Sequence, residues 1–214
     1  MTRTLAIDCS TEAFSVAIFD GDALLANEHT VLGRGHAERL VPMIAALPER
    51  GRAERILVAL GPGSFTGIRI GIATARALGV AWQATVLGYP TLALVAAMAR
   101  DGRDGPVTVC MTGGHGEWFV QDFGRDGMPE TQLVSLTPEE AIDRGTHAFV
   151  AGSKARELAE RLDPPAEALD LLPDASRVML LPEATLTDRL SALYGRAPDA
   201  KPLAQQLKQR ERAR

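Results

Sequence analysis

Gly61-Pro62-Gly63-Ser64-Phe65-Thr66-Gly67 places three glycines within seven residues, between the uncharged apolar run Ile56-Leu57-Val58-Ala59-Leu60 and a long Ala-rich segment. The stretch reads as strand, tight loop and helix, the unit of an α/β protein. Glycines in such a loop permit positive φ and close backbone approach, while the N–H groups opening the next helix form a weakly positive surface. Two phosphate-binding patterns nevertheless fail. A Walker loop needs Gly at position 66 followed by Lys, and this chain has Thr66, Gly67 and Ile68. The dinucleotide fingerprint also needs its third glycine at 66, with an acid about twenty residues further on, where Ala81-Trp82-Gln83-Ala84 stands instead. Two readings remain. Gly61, Gly63 and Gly67 either build a structural turn that packs the helix closely onto its own sheet, or they form a loop that binds a ligand or partner. Phe65 favours the second, since a large apolar side chain at the loop tip must tuck under the loop or meet another surface.

Upstream, Leu5-Ala6-Ile7 reads as a short buried strand ending at Asp8, and Phe14-Ser15-Val16-Ala17-Ile18 alternates into a second. Asp20-Gly21 makes a hairpin turn, and residues 24–31 form a third strand. Residues 36–49 carry Leu40, Val41, Ile44 and Leu47 at helical spacing; Pro42 removes the bond to the Glu38 carbonyl and is expected to bend this helix. Downstream of the glycine loop, residues 68–82 read as helix, Thr85-Val86-Leu87 as strand and residues 91–100 as helix. Asp101-Gly102-Arg103-Asp104-Gly105-Pro106 is the strongest boundary in the chain.

Beyond that boundary the pattern restarts. Val107-Thr108-Val109-Cys110-Met111 is a strand, a Gly-containing turn follows, and Glu117-Trp118-Phe119-Val120-Gln121-Asp122-Phe123 runs into Gly124-Arg125-Asp126-Gly127. Residues 132–136 form a third strand, 138–144 a short helix and 148–151 a fourth strand; Gly152-Ser153-Lys154 leads into a helix through 162. This predicts a diverged duplication: two copies of β-β-β-α-β-α, the two-lobed α/β architecture of actin-like and sugar-kinase-like proteins. A single unduplicated α/β domain is the plainer alternative. The expected units are an N-terminal lobe over 1–103, a C-terminal lobe over 104–200 and a basic tail over 201–214.

Composition narrows the function classes. A chain of 214 residues can bury a good core, and 46% hydrophobic with 23% charged residues is ordinary for a soluble globular protein. The formal charge of −4 argues against holding nucleic acid on a broad basic face. Cys9 and Cys110 both sit in apolar runs, so buried free thiols are expected rather than a disulfide. The opening residues lack a basic, apolar, small-residue leader, and the apolar-rich stretch 73–87 is broken by Arg76 and Gln83. A soluble, cytoplasmic protein is the expectation.

Three stretches carry a family resemblance. Leu5-Ala6-Ile7-Asp8-Cys9-Ser10-Thr11-Glu12, His36-Ala37-Glu38-Arg39-Leu40-Val41-Pro42, and the glycine loop continued through Ile68-Arg69-Ile70-Gly71 resemble the signatures of the TsaB (YeaZ) family. The match is dense over about the first hundred residues. It is thinner beyond, at Gly116-Glu117, Gly152 and Leu193-Tyr194-Gly195-Arg196-Ala197-Pro198-Asp199-Ala200-Lys201-Pro202. Where the family often has Asp-Ala-Arg before Gly-Glu, this chain has Thr112-Gly113-Gly114.

The resemblance implies an actin-like fold and a place in the bacterial machinery that puts threonylcarbamoyl on the adenosine beside the tRNA anticodon. In that family the paralogue TsaD is the catalytic subunit, and TsaE, an ATPase, joins the complex. The partner surface implied here lies on the first two helices: His36, Arg39, Leu40, Met43, Phe65, Thr66, Arg69, Ile70, Ala73 and Arg76. A heterodimer with TsaD is expected, and a homodimer in its absence, with tRNA met only inside the complex. No resident cofactor and no metal are implied, although a nucleotide could lie at the partner interface.

The residues themselves speak against independent catalysis. Asp8 ends the first strand where actin-like ATPases keep a carboxylate for hydrated Mg²⁺, so Asp8, Ser10 and Thr11 are candidates for a vestigial nucleotide site; a turn-capping Asp is the competing reading. Thr112 stands where the second half should supply a matching acid, which makes the site incomplete. None of His29, His36, His115 and His147 lies in a ligand spacing, and Ser64 lacks the Gly-x-Ser-x-Gly elbow, so a metallopeptidase is disfavoured. An independent ATPase or phosphotransferase of the same fold is the remaining alternative. Arg69 and Arg76, seven residues apart on one helix face among small residues, suit an interface anchor; two solvated arginines on a self-packed helix would look the same.

Overall fold

A computed structural model describes residues 2–31 and 36–195, with His36 and Ala37 described by backbone alone. The first half builds β1 (Arg3–Asp8), β2 (Ala13–Asp20), β3 (Ala23–Val31), α1 (His36–Ala46), β4 (Arg55–Ala59), α2 (Phe65–Trp82), β5 (Thr85–Tyr89) and α3 (Thr91–Arg100). The second builds β6 (Val107–Thr112), β7 (Trp118–Phe123), β8 (Val134–Leu136), α4 (Pro138–Arg144), β9 (Phe149–Ala151), α5 (Ala155–Ala159) and β10 (Glu167–Leu169). The two sheets are ordered β3-β2-β1-β4-β5 and β8-β7-β6-β9-β10. In each, an antiparallel meander is extended by parallel strands. The same order twice is the duplication that the sequence predicted, and the fold is a two-lobed, actin-like α/β architecture.

Strand alternation sorts the side chains onto two faces. Leu5, Ile7, Val16, Ile18, Ile56 and Val58 meet α1 and α2 through Leu40, Ile44, Ile68 and Ile72. Ala6, Ala17, Phe19, Leu57 and Ala59 form the opposite face, closed by Leu94 of α3 and by Ala175 and Val178. The other sides of α3, Leu92, Val95, Ala96 and Ala99, pack on Val107, Val109, Met111 and Phe123 of the second sheet. One helix thus serves both lobes, which explains why α3 is buried almost all round. The free thiols Cys9 and Cys110 are both buried, and burial pushes the Cys110 thiol up to about 12.

Local chemistry moves several boundaries. The helix expected over 36–49 stops at Ala46, because the proline at 48 disfavours helical backbone at Leu47; a 3₁₀ turn, Pro48–Gly51, follows with Glu49 and Arg50 at φ 51° and 59°. Helix α1 runs through Pro42. Helix α2 begins at Phe65, three residues earlier than periodicity suggested, since the Ser64 hydroxyl caps it by accepting from Gly67 N at 3.2 Å. The expected helix through 162 ends at Ala159.

The fifth strand of the first lobe, β5, lies where Thr85-Val86-Leu87 is read as a strand, whereas its counterpart β10 in the second lobe has no sequence-based expectation. The 3₁₀ turns Ala175–Leu180 and Glu183–Thr185 were likewise unforeseen. Residues 187–194 return to the first lobe: Thr187 and Gly88 exchange bonds of 2.7 and 3.0 Å on the edge of β5, and Leu193 N donates to Leu60 O at 2.7 Å. The cut at 103/104 therefore does not separate the lobes cleanly, because 175–194 rejoin the first. The tail 201–214 lies outside the described residues.

Candidate partner interface

The glycine loop is fitted to the turn between β1 and β2. A Cβ on Gly63 would fall 1.8 Å from Ser10 O, and one on Gly67 2.0 Å from Cys9 O. Ser64 N donates to Ser10 O at 2.6 Å, and Gly61 O accepts from Thr91 N at 2.8 Å. The loop's polar groups and its lack of side chains are thus used inside the fold, as the structural-turn reading expected. Phe65, 55% exposed, and Thr66 face outward.

Asp8 is fully buried. Its Oδ1 accepts from Ser10 N at 2.9 Å and Ser10 Oγ at 2.6 Å, and its Oδ2 accepts from Tyr89 OH at 3.2 Å. Burial raises its pKa to about 6, opposed by the Ser10 and Tyr89 hydrogen bonds. Ser10 is fully buried as well, and Thr11 turns to Ala13, its hydroxyl accepting from Ala13 N at 3.1 Å. The three candidates for a vestigial nucleotide site are therefore turned into the fold, and the capping reading of Asp8 describes the geometry. At the matching turn of the second lobe, Thr112 N donates to Ser153 Oγ at 2.9 Å.

The first two helices pack against each other and on the sheet, leaving one long outer face. Arg39, Val41, Pro42 and Ala45 of α1 are exposed there, with Phe65, Thr66, Arg69, Ala73, Arg76, Ala77 and Val80 of α2. Val41 is 60% and Val80 84% exposed. Two expected interface residues are corrected: Leu40 and Met43, at 0% and 5% exposure, point into the core, because they continue the Leu47 and Ile44 stripe that seals α1 to the sheet. Ile70 is only partly buried against that core. The side chain of His36 lies outside the described residues.

Both arginines of α2 hold the returning C-terminal segment. Arg69 Nε donates to Tyr194 OH at 3.1 Å, and Arg76 donates to Leu190 O at 2.9 Å. The Arg69 guanidinium stands 3.5 Å above the Phe65 ring, whose centroid is 5.6 Å from that of Tyr194. Sequence reasoning assigned Tyr194 and Val80 no site role. Continuing the 65, 69, 73, 76 spacing by one turn would have found Val80, whereas no local signal joins Tyr194 to Arg69. Among the described residues, no three His, Cys, Asp or Glu side chains are grouped as metal ligands, and no helix is long and apolar enough to cross a membrane.

Known proteins share both the sequence and this arrangement. The family model described as TsaD, tRNA N6-adenosine threonylcarbamoyltransferase, matches residues 29–169. The solved structure of YeaZ from Pseudomonas aeruginosa superposes with a TM-score of 0.71 at 30% identity, covering 84% of this chain and 89% of that one. The chain belongs to the TsaB (YeaZ) family. The tRNA threonylcarbamoyladenosine biosynthesis protein TsaB of Escherichia coli is 36% identical over 66% of this chain and 65% of its own length. An uncharacterised protein of Mycobacterium leprae is 35% identical over 95% of this chain, which spans 57% of that protein's length. An uncharacterised Mycobacterium tuberculosis protein is 32% identical, with 95% and 96% covered.

Proposed function

We propose that this chain is the non-catalytic TsaB subunit of the tRNA threonylcarbamoyladenosine machinery, pairing with TsaD through the outer face of α1 and α2. The observation that carries the reading is that face: Val41, Ala45, Ala73, Ala77 and Val80 lie exposed on two helices whose inner stripes already fill the core. Small side chains allow close helix approach, and α2, 18 residues long, spans about 27 Å, enough to anchor an interface of about 800 Å² per partner. The subunit acts by assembly, fixing a productive conformation of its neighbour's active site in the cytoplasm. It holds no cofactor of its own, a nucleotide being accommodated only at the interface, and TsaE joins the pair. In the absence of TsaD the same surface makes an isologous homodimer.

Light-scattering chromatography with and without TsaD tests this. The expected result is a homodimer that converts to a heterodimer, with Val80→Glu weakening both by at least tenfold, equivalent to about 1.4 kcal/mol. A monomer indifferent to TsaD would return the chain to the ATPase reading.

A further inference from the structure

At the end of the first sheet remote from the glycine loop, a pocket of about 320 Å³ is lined by Arg3, Asp20, Glu49, Arg52 and Glu54. Arg3 opens β1, Asp20 closes β2 directly opposite it, and Glu54 precedes β4. Asp8 and the glycine loop follow the other ends of β1 and β4, about 17 Å away along β1. None of the five lining residues belongs to the Asp8 turn or to the outer face of α1 and α2. The backbone beside the pocket is strained: Glu49 and Arg50 are consecutive non-glycine residues in the left-handed region, at φ 51° and 59°. That turn carries the Glu49 carboxylate to 2.6 Å from the Arg3 guanidinium.

Three of the five charges are engaged with one another, since Glu54 Oε2 also accepts from the Arg3 backbone N–H at 2.6 Å. Among the described residues, the side chains of Asp20 and Arg52 make no hydrogen bond or ion pair, which leaves one carboxylate and one guanidinium unengaged in the same small space. Charge and size then select a ligand class. Three carboxylates beside two guanidiniums disfavour a free anion, and the guanidiniums oppose a divalent cation, for which no three ligating side chains are grouped among the described residues. A molecule with both signs satisfies both unengaged groups at once, its carboxylate meeting the guanidinium fork and its ammonium the Asp20 carboxylate. The volume is at the small end for ligand pockets, and a wholly charged lining offers no apolar wall.

We propose that this pocket binds a small zwitterion, an α-amino acid with a short polar side chain or none, held by Arg52 through its carboxylate and by Asp20 through its ammonium, with the Arg3–Glu49 pair fixing the wall between them. The site is independent of pairing with TsaD, so the chain alone tests it. Amide chemical shifts of the full chain are followed by NMR during titration with glycine and with L-serine, at about 20 mM salt, where exposed charges are weakly screened. Acetate and methylammonium, each carrying one of the two charges, are titrated in parallel. Saturable shifts at residues 3, 20 and 49–54 are expected with the amino acids, and at least about tenfold weaker binding with either single-charge probe. Arg52→Gln and Asp20→Asn should each weaken amino-acid binding about tenfold. Both side chains are solvent-accessible, and the same spectra record whether each variant keeps the wild-type fold. The proposal is overturned if neither amino acid gives saturable shifts at those amides, if acetate or methylammonium binds as tightly as glycine, or if either folded variant binds as the wild type does.

Discussion

At the scale of single residues, Asp8 shows how a carboxylate at a strand end can be structural. Its oxygens are consumed by Ser10 and Tyr89, and burial holds its pKa near 6, above the ordinary 3.8. The folded state therefore keeps a proton that the unfolded chain has released, so stability falls as pH rises from about 4 to 6. A shift of this size corresponds to about 3 kcal/mol. Asp8→Asn, which keeps the acceptor for Ser10, should gain on the wild type by up to that amount between pH 4 and 6.5 in urea unfolding; a constant difference across that range would refute the assignment. Gly63 makes the complementary point about backbone. An added methyl 1.8 Å from Ser10 O has no room, so Gly63→Ala should cost more than about 3 kcal/mol in the same measurement, while Gly102→Ala, with nothing within 4 Å, should cost much less despite its positive φ. The Asp8 turn was legible in the sequence because its bonds to Ser10 span two residues. The Tyr89 bond, 81 residues away, left no local trace.

At the scale of elements, legibility followed the range of the forces that define each one. Helix α2 and strands β1, β2 and β4 carry their own periodicity, a cap or a bounded apolar run, and were read almost in place. The segment 187–194 has no periodicity, and its position is set by Gly88, Leu60, Arg69 and Arg76, each about a hundred or more residues away. The same gap explains the misassignment of Leu40 and Met43: helical spacing reveals which residues share a stripe, and only the packed sheet decides which stripe faces inward. The returning segment also covers the β5 edge and packs Leu190 and Ala192 on the first core. A chain ending at Leu186 should consequently lose about 3 kcal/mol and melt on the order of 10 °C lower. An unchanged melting temperature would mean that this segment does not hold the lobe together.

At the scale of the whole molecule, the two copies have diverged in opposite directions. The first keeps an 18-residue helix after its glycine loop, and the second has only the five residues of α5 at the equivalent place. A nucleotide clasped between actin-like lobes needs an acid from the first turn of each. Here Asp8 points inward and Thr112 replaces the other. The segment crossing between the lobes also passes that region: a Cβ on Gly61 would fall 2.9 Å from Leu193 O, and one on Gly195 2.5 Å from the Phe119 ring. The Asp8 carboxylate is thus engaged within its own lobe by Ser10 and Tyr89, which supports the proposed role through the outer face of α1 and α2. Thermal unfolding of the isolated chain tests this directly. A site occupied at 100 times its dissociation constant adds about 2.7 kcal/mol, which for a chain of this length raises melting by roughly 5–10 °C. With about 1 mM Mg-ATP, a hundredfold excess over a ~10 μM site, the expected shift is under about 1 °C. A rise of several degrees that disappears in Asp8→Ala would instead show that the turn opens to bind phosphate, and would make the chain an ATP-binding protein in its own right.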